Sequence, residues 1–304
     1  MKNSFFKKLI IGGAQLGMSY GYTRNKLYKN KSEQRKLLNL AKRFGINKID
    51  TAQRYGCSEK NIGLNKNYLK KIFIISKFDL VNYDKKKNSL YSFIKNSLTK
   101  TLKRLNIKKI NILMIHRFED LKIYKNKLIT ALEKIKKDKL IGEVGISVYS
   151  PNELKYSCKF KLIKNIQIPF NILDNRWLRP SLFNYLNKKK VKIHARSIFL
   201  RGLLLNSYVP SKFKKISKKI DLMFQKYIIM FNRENKIDLC LAYVKSFRWI
   251  DFFVIGFINH KQFEEVLLNF KNPSLKKNEV NLINNEMRKI IKSKKILMPN
   301  LWKN

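Results

Sequence analysis

A (β/α)8 barrel, an α/β fold of the TIM type, is the class that this sequence predicts, on three observations. Strand-like and helix-like segments alternate eight times along the 304 residues with no break in composition. Strands alternating with helices imply parallel pairing with right-handed crossovers, and eight such units occupy roughly 250 residues. Polar side chains stand at the carboxyl ends of the second, third and fourth strand segments, the end at which such barrels place their chemistry. An open doubly wound sheet is the alternative. Against it, the run GGAQLG after the first strand has Ala14 where a dinucleotide fingerprint needs its second glycine, and a loop follows instead of a helix.

The elements follow in order. Residues 8–11 read as the first strand. Residues 33–44 put Leu37, Leu38, Leu40, Ala41 and Phe44 on one helical face, with Ser32 as the N-cap. A short strand at 48–50 and a short helix at 59–64 come next. Residues 72–76, IFIIS, form a buried strand of five apolar or small residues. Residues 89–105 align Leu90, Phe93, Ile94, Leu98, Leu102 and Leu105 along a helix. Strand 111–115 then leads to helix 128–137, and strand 141–147 to helix 151–157, which has Pro151 in its first turn. Strand 165–169, helix 181–188 and strand 191–196 continue the pattern. Helices 213–232 and 238–247, strand 252–256 and helix 261–270 complete the barrel. The lysine-rich tail from residue 271 has one amphipathic helix at about 280–291, expected to pack on the barrel wall with Trp302 as a tether. The whole chain reads as one domain, with the barrel at about 8–270.

Composition narrows the function. No apolar run reaches the 18 residues that a membrane span needs, and no leader with a credible cleavage site opens the chain. Cys57, Cys158 and Cys240 are odd in number and far apart, so neither a disulfide framework nor a metal site is expected, and a reducing cytoplasm fits. The 67 basic and 20 acidic residues give a formal net charge of +47. That balance invites a nucleic-acid or membrane-surface role. Yet lysines are spread over nearly every segment, and the longest runs are the triplets 85–87 and 188–190. Residue usage explains the excess better than a specific nucleic-acid site, and the expected consequence is diffuse, salt-sensitive adhesion to polyanions.

Four residues meet at the predicted active end. Asp50 closes the second strand and Tyr55 follows in its loop; Lys77 closes the third strand and His116 the fourth. Taken singly, Asp50 reads as a turn cap, Tyr55 as a rim aromatic, Lys77 as one lysine among many and His116 as a structural histidine. Taken jointly, in this order and at these strand ends, they read as a site.

The stretch GINKIDTAQRYGCSEKNIG, residues 45–63, resembles the signature of the aldo/keto reductases, and the likeness extends over about residues 9–270. The resemblance implies a catalytic tetrad of Asp50, Tyr55, Lys77 and His116. A carbonyl taking up hydride develops negative charge on oxygen and needs a proton donor, for which Tyr55 is the candidate. Free tyrosine titrates near about 10. Lys77 is expected to favour the phenolate, Asp50 to hold Lys77 charged, and His116 to orient the carbonyl. Hydride requires a cofactor, because no side chain supplies it. The resemblance implies NADPH, with NADH as the alternative.

It also assigns cofactor contacts: Ser147 and Gln167 to the nicotinamide carboxamide, Arg196 in place of a ring-stacking tyrosine, and Gly256, Gln262 and Glu265 to the adenosine phosphate. Val148 stands where Asn is common, and Gly256 and Gln262 where Lys and Arg often bind a 2′-phosphate. The expected substrate is a small-molecule aldehyde or ketone, bulky or sugar-like carbonyls included. A sensor or partner subunit that binds cofactor without turnover is the other reading. Oligomeric state is not legible.

Overall fold

Eight short runs rich in isoleucine, leucine and valine supply the strands of a closed parallel barrel. They are β1 (Leu9–Gly12), β2 (Lys48–Asp50), β3 (Phe73–Phe78), β4 (Ile110–Ile115), β5 (Ile141–Ser147), β6 (Ile163–Pro169), β7 (Lys192–Arg196) and β8 (Phe252–Ile255). Each pairs with its neighbours in sequence order, and β8 closes the ring on β1 through Leu9↔Phe253, Ile10↔Val254 and Ile11↔Ile255. The computed structural model describes residues 4–20, 27–65, 72–205, 213–291, 294–297 and 302.

Ten α-helices lie among the described residues: α1 (Lys31–Arg43), α2 (Ser58–Gly63), α3 (Leu90–Leu105), α4 (Phe118–Lys137), α5 (Pro151–Ser157), α6 (Pro180–Lys189), α7 (Lys214–Met230), α8 (Lys236–Lys245), α9 (His260–Phe270) and α10 (Lys277–Ile290). Successive residues of a strand point to opposite faces. One set, including Ile11, Ile49, Ile74, Leu113 and Ile166, packs outward under the helices. The other, Ile10, Ile75, Ile112, Met114 and Val254, forms a separate apolar cluster with Phe73 and Phe252 against it. On β3 this alternation sends Ser76 outward to Glu59 of α2 and leaves Lys77, two residues beyond Ile75, on the inner face.

Some boundaries differ from the sequence reading. Helix α1 begins two residues earlier than expected. Its N-cap is Asn30, which accepts from Glu33 N at 3.0 Å, not Ser32. Helix α4 starts at Phe118, ten residues before the expected start, because a first turn is joined to the main helix across Lys125 at φ 44°. Lysine in that left-handed conformation interrupts the helical period, so the early segment has no apolar stripe to reveal it. Strand β3 runs two residues past the expected end and takes in Lys77. The tail helix is α10, tied back by Glu286, which accepts from Tyr227 of α7 at 2.7 Å, and by Asn284, which accepts from Tyr243 of α8 at 2.7 Å. The Trp302 ring lies 5.5 Å from that of Phe213.

Candidate active site

The carboxyl ends of β2, β3 and β4 bring the four expected residues together. Lys77 is 1% exposed and donates to Asp50 Oδ2 at 2.5 Å, to the Thr51 carbonyl at 3.2 Å and to the Tyr55 hydroxyl at 3.4 Å. Its ammonium also sits 4.9 Å from the Tyr55 ring centre. The other Asp50 oxygen accepts from Gln167 Nε2 at 2.9 Å. A buried ion pair of this kind holds only when its remaining lone pairs and N–H donors are also satisfied: Gln167 donates to the carboxylate and the Thr51 carbonyl accepts from the ammonium. The His116 ring stands edge-on to Tyr55, with centroids 5.8 Å apart and an interplanar angle of 83°.

The loop carrying Tyr55 is anchored on several sides. Thr51 N donates to the Ile75 carbonyl at 2.8 Å and Gln53 N to the Lys77 carbonyl at 3.0 Å. Ser58 Oγ donates to the Gly13 carbonyl at 2.8 Å. Gly17 and Gly56 let the loops after β1 and β2 cross in backbone contact; Gly56 has φ +55°, and a Cβ on Gly17 would overlap the Tyr55 carbonyl. Behind the loop, the buried Glu59 accepts from Ser76 at 2.7 Å, Thr101 at 3.2 Å, and Arg104 Nε and NH2 at 2.8 and 2.6 Å.

Charge states follow from these surroundings. Burial pushes the Tyr55 phenol well above its usual value, the Asp50 carboxylate pushes it the same way, and the Arg196 guanidinium opposes both. Desolvation of the phenolate sets the net direction in the free protein, although an ammonium 3.4 Å from the hydroxyl by itself favours the phenolate. Burial, more than the attraction of Asp50 can offset, also lowers the Lys77 pKa. His116 drops to about 3 through burial and then the charges of Lys77 and Arg196, so its ring is neutral.

From Tyr55 a cleft runs along the barrel mouth between the loops after β1, β7 and β8. It is about 830 Å³ with its solvent-open part, and Gly12, Tyr20, Arg196, Phe199, Gly256 and Gln262 are among its lining residues. Arg196 donates to Ser147 Oγ and Ser197 Oγ, each at 3.3 Å, and its guanidinium lies 4.5 Å from the Tyr149 ring centre. Ser147 and Gln167 are register partners across β5 and β6. Gln167 is fully buried, and its Oε1 has no hydrogen-bond partner. Gln262 turns its own carbonyl back to accept from Ile258 N at 2.9 Å. Glu265, exposed on α9, is not among the residues lining the cleft. The start of α9 also receives a carboxylate from elsewhere: Glu33 Oε2 pairs with His260 Nδ1 at 2.7 Å.

Other contributors carry no motif of their own. Tyr20 faces the tetrad from the loop after β1, and Arg201 donates to its hydroxyl at 3.2 Å. Only an aromatic in a loop following a strand marks Tyr20 in the sequence. Between Ser197 and Gly202, Ser197, Leu200, Arg201 and Gly202 all have positive φ. Such conformations concentrate where a backbone lines a ligand site. Gly13 has a packing reason of its own: a Cβ there would meet the Asp50 carbonyl oxygen at 2.8 Å, so glycine is needed for the close approach to β2. Among the described residues, no group of His, Cys, Asp and Glu is placed to hold a metal ion, and no helix is long and apolar enough to cross a membrane.

The likeness to known proteins agrees with this arrangement. The chain superposes on the holo form of an aldo-keto reductase from Bacillus halodurans with a TM-score of 0.74 at 21% identity, over 92% of this chain and 91% of that one. A glycerol dehydrogenase from Gluconobacter oxydans gives a TM-score of 0.73 at 21% identity, over 94% and 93% of the two chains. These likenesses show the fold. No curated protein matches the sequence. The model of the aldo/keto reductase family matches residues 8–286, a span that takes in all eight strands and every tetrad position, and the chain therefore belongs to that family, whose members are oxidoreductases.

Proposed function

We propose that the protein reduces an aldehyde or ketone to an alcohol with a reduced nicotinamide nucleotide, Tyr55 serving as general acid. The observation that carries this reading is the contact set of Lys77, which joins Asp50 at 2.5 Å to the Tyr55 hydroxyl at 3.4 Å beside His116. Such a set makes poor core and good chemistry: a buried ammonium is held beside a phenol, at the strand ends where a barrel exposes reactive groups.

The residues fit a nicotinamide nucleotide. A carboxamide N–H would satisfy the orphaned Gln167 Oε1, and Ser147 stands beside it. When bound, the nucleotide supplies the hydride. The protein's part is the rest. The neutral His116 donates a hydrogen bond to the carbonyl oxygen and fixes its direction. As that oxygen gains charge, Tyr55 gives up its proton to it, and the Lys77 ammonium steadies the phenolate that remains. Asp50 and Gln167 keep Lys77 aimed at the phenol.

At the far end of the cleft, Gly256 and Gln262 offer no cation, and the Glu33 carboxylate already occupies the start of α9. Helix N-termini attract anions, and a carboxylate there opposes an additional phosphate. NADH is therefore expected to bind at least as tightly as NADPH, in a fluorescence titration of both. Turnover is tested with a panel of aldehydes and ketones, keto-sugars included. Tyr55→Phe should lower kcat by about 10²–10⁴-fold while nucleotide binding persists. Full activity in that variant refutes the assignment. Nucleotide binding with no turnover on any carbonyl supports the sensor reading instead.

A further inference from the structure

The cleft contains a cation, Arg196, that no carboxylate among the described residues pairs with. Arg196 is half-buried at the end of β7, and its partners are two serine hydroxyls and a phenol ring, all uncharged. Two other arginines sunk below the surface are treated differently. Arg176 holds Asp174 at 2.6 Å and Arg233 holds Asp238 at 2.5 Å. Charges taken out of water are paired as a rule, and Arg196 departs from that rule inside the site.

Its surroundings also fix its direction. Ser147 and Ser197 hold separate terminal nitrogens, and the Tyr149 ring covers the guanidinium, so the group is oriented before any ligand arrives. Its charge acts on Tyr55, Lys77 and His116, which places it within reach of the reacting centre. An arginine with five N–H donors and part of them used retains donors for a planar oxyanion, which it binds in fork geometry. A neutral ring laid against it would leave the charge uncompensated, and an oxidised, positively charged ring would be repelled.

We propose that the substrate is a carbonyl compound bearing a carboxylate, and that Arg196 is the residue that selects it. This rests on the reductase reading above. The same oxyanion chemistry exists in the phosphates of the nucleotide, and the experiment separates the two sources.

Matched pairs are compared with saturating NADH or NADPH: succinic semialdehyde against its neutral amide, and carboxybenzaldehyde against its methyl ester. The wild type should favour the charged member by about tenfold or more in kcat/KM, the scale of one charge-assisted hydrogen bond. Arg196→Gln should bring that ratio close to one, and Arg196→Lys should restore part of it. In parallel, calorimetry follows binding of hydroxybutyrate, the carboxylate product, against butanediol. Hydroxybutyrate should bind the wild type with the tighter constant and lose that advantage in Arg196→Gln.

Equal kcat/KM within each pair for the wild type overturns the proposal, as does a preference that survives in Arg196→Gln. Weakened nucleotide binding in Arg196→Gln with the substrate ratio intact assigns the guanidinium to the nucleotide and also overturns it. Should no carbonyl turn over, the reductase reading fails. The calorimetric comparison then still decides whether Arg196 binds a carboxylate.

Discussion

At the scale of single residues, the site is defined by protons that stay in place. His116 has a pKa of about 3 and Tyr55 one well above its ordinary value, so neither changes charge between pH 5 and pH 9. The expected profile of kcat/KM for reduction has no histidine inflection near about pH 6.5, where free imidazole titrates. A measured acid limb centred there, removed by His116→Gln, would show that the ring ionises in catalysis. The tetrad was legible in the sequence because each member closes a strand or follows one in a long spaced motif. Arg196 was legible as a departure from an expected aromatic, but its lack of a carboxylate was not. That fact depends on Ser147 and Tyr149, which reach it from the end of β5 and the loop beyond, two strands away around the barrel. The direction of the Tyr55 shift was not legible either, because it is set by how much water the folded loops exclude.

At the scale of elements, the loop that carries Tyr55 is held by its neighbours more than by its own propensity. Glu59, at the start of α2, links β3 and α3 through four hydrogen bonds. Glu59→Gln keeps the shape but turns an amide toward Arg104, and should cost about 2 kcal/mol in urea denaturation. An unchanged midpoint would mean that the network is dispensable. Gly17→Ala drives a Cβ into the backbone on both sides of Gly56, at the Tyr55 carbonyl and the Ser58 nitrogen. Its expected signature is a marked fall in kcat with a modest fall in Tm, since the displaced segment carries Tyr55, the acid proposed above. The strands were readable from apolar runs and most helices from their period. The first turn of α4 escaped because its break at Lys125 has no glycine or proline to announce it.

At the scale of the whole molecule, charge and buried histidine set the response to solvent. His194 lies inside the barrel with Nε2 3.1 Å from Asn165 Oδ1, and burial lowers it to about 3 from 6.5. Asn165 Nδ2 donates to Glu143 at 2.6 Å, so Asn165 Oδ1 accepts, and His194 carries its proton on Nε2. The unfolded chain takes up protons below its own pKa near 6.5, while the folded ring resists until about 3. Stability thus falls progressively as pH drops through that window. Tm measured from pH 7 down to pH 4 should decline, and less steeply in His194→Gln. A net charge of +47 spread over the surface should retain the protein on heparin at low salt and release it by moderate salt. Retention at high salt would indicate a defined polyanion site. The eightfold alternation made the architecture readable, since each unit repeats one local pattern. The closure of the ring was inferred from the count of units and not from any single residue.

The closure has a temporal consequence. Gly12 and Gly256 meet across the seam between β1 and β8, where a Cβ on Gly12 would touch the Ile255 carbonyl oxygen at 3.0 Å, and both line the cleft. The cleft is thus shared by the first and the last strand of the barrel to leave the ribosome. A nascent polypeptide halted before Phe252 lacks one side of it, so the nucleotide proposed above would meet its full cleft only once translation has passed the eighth strand.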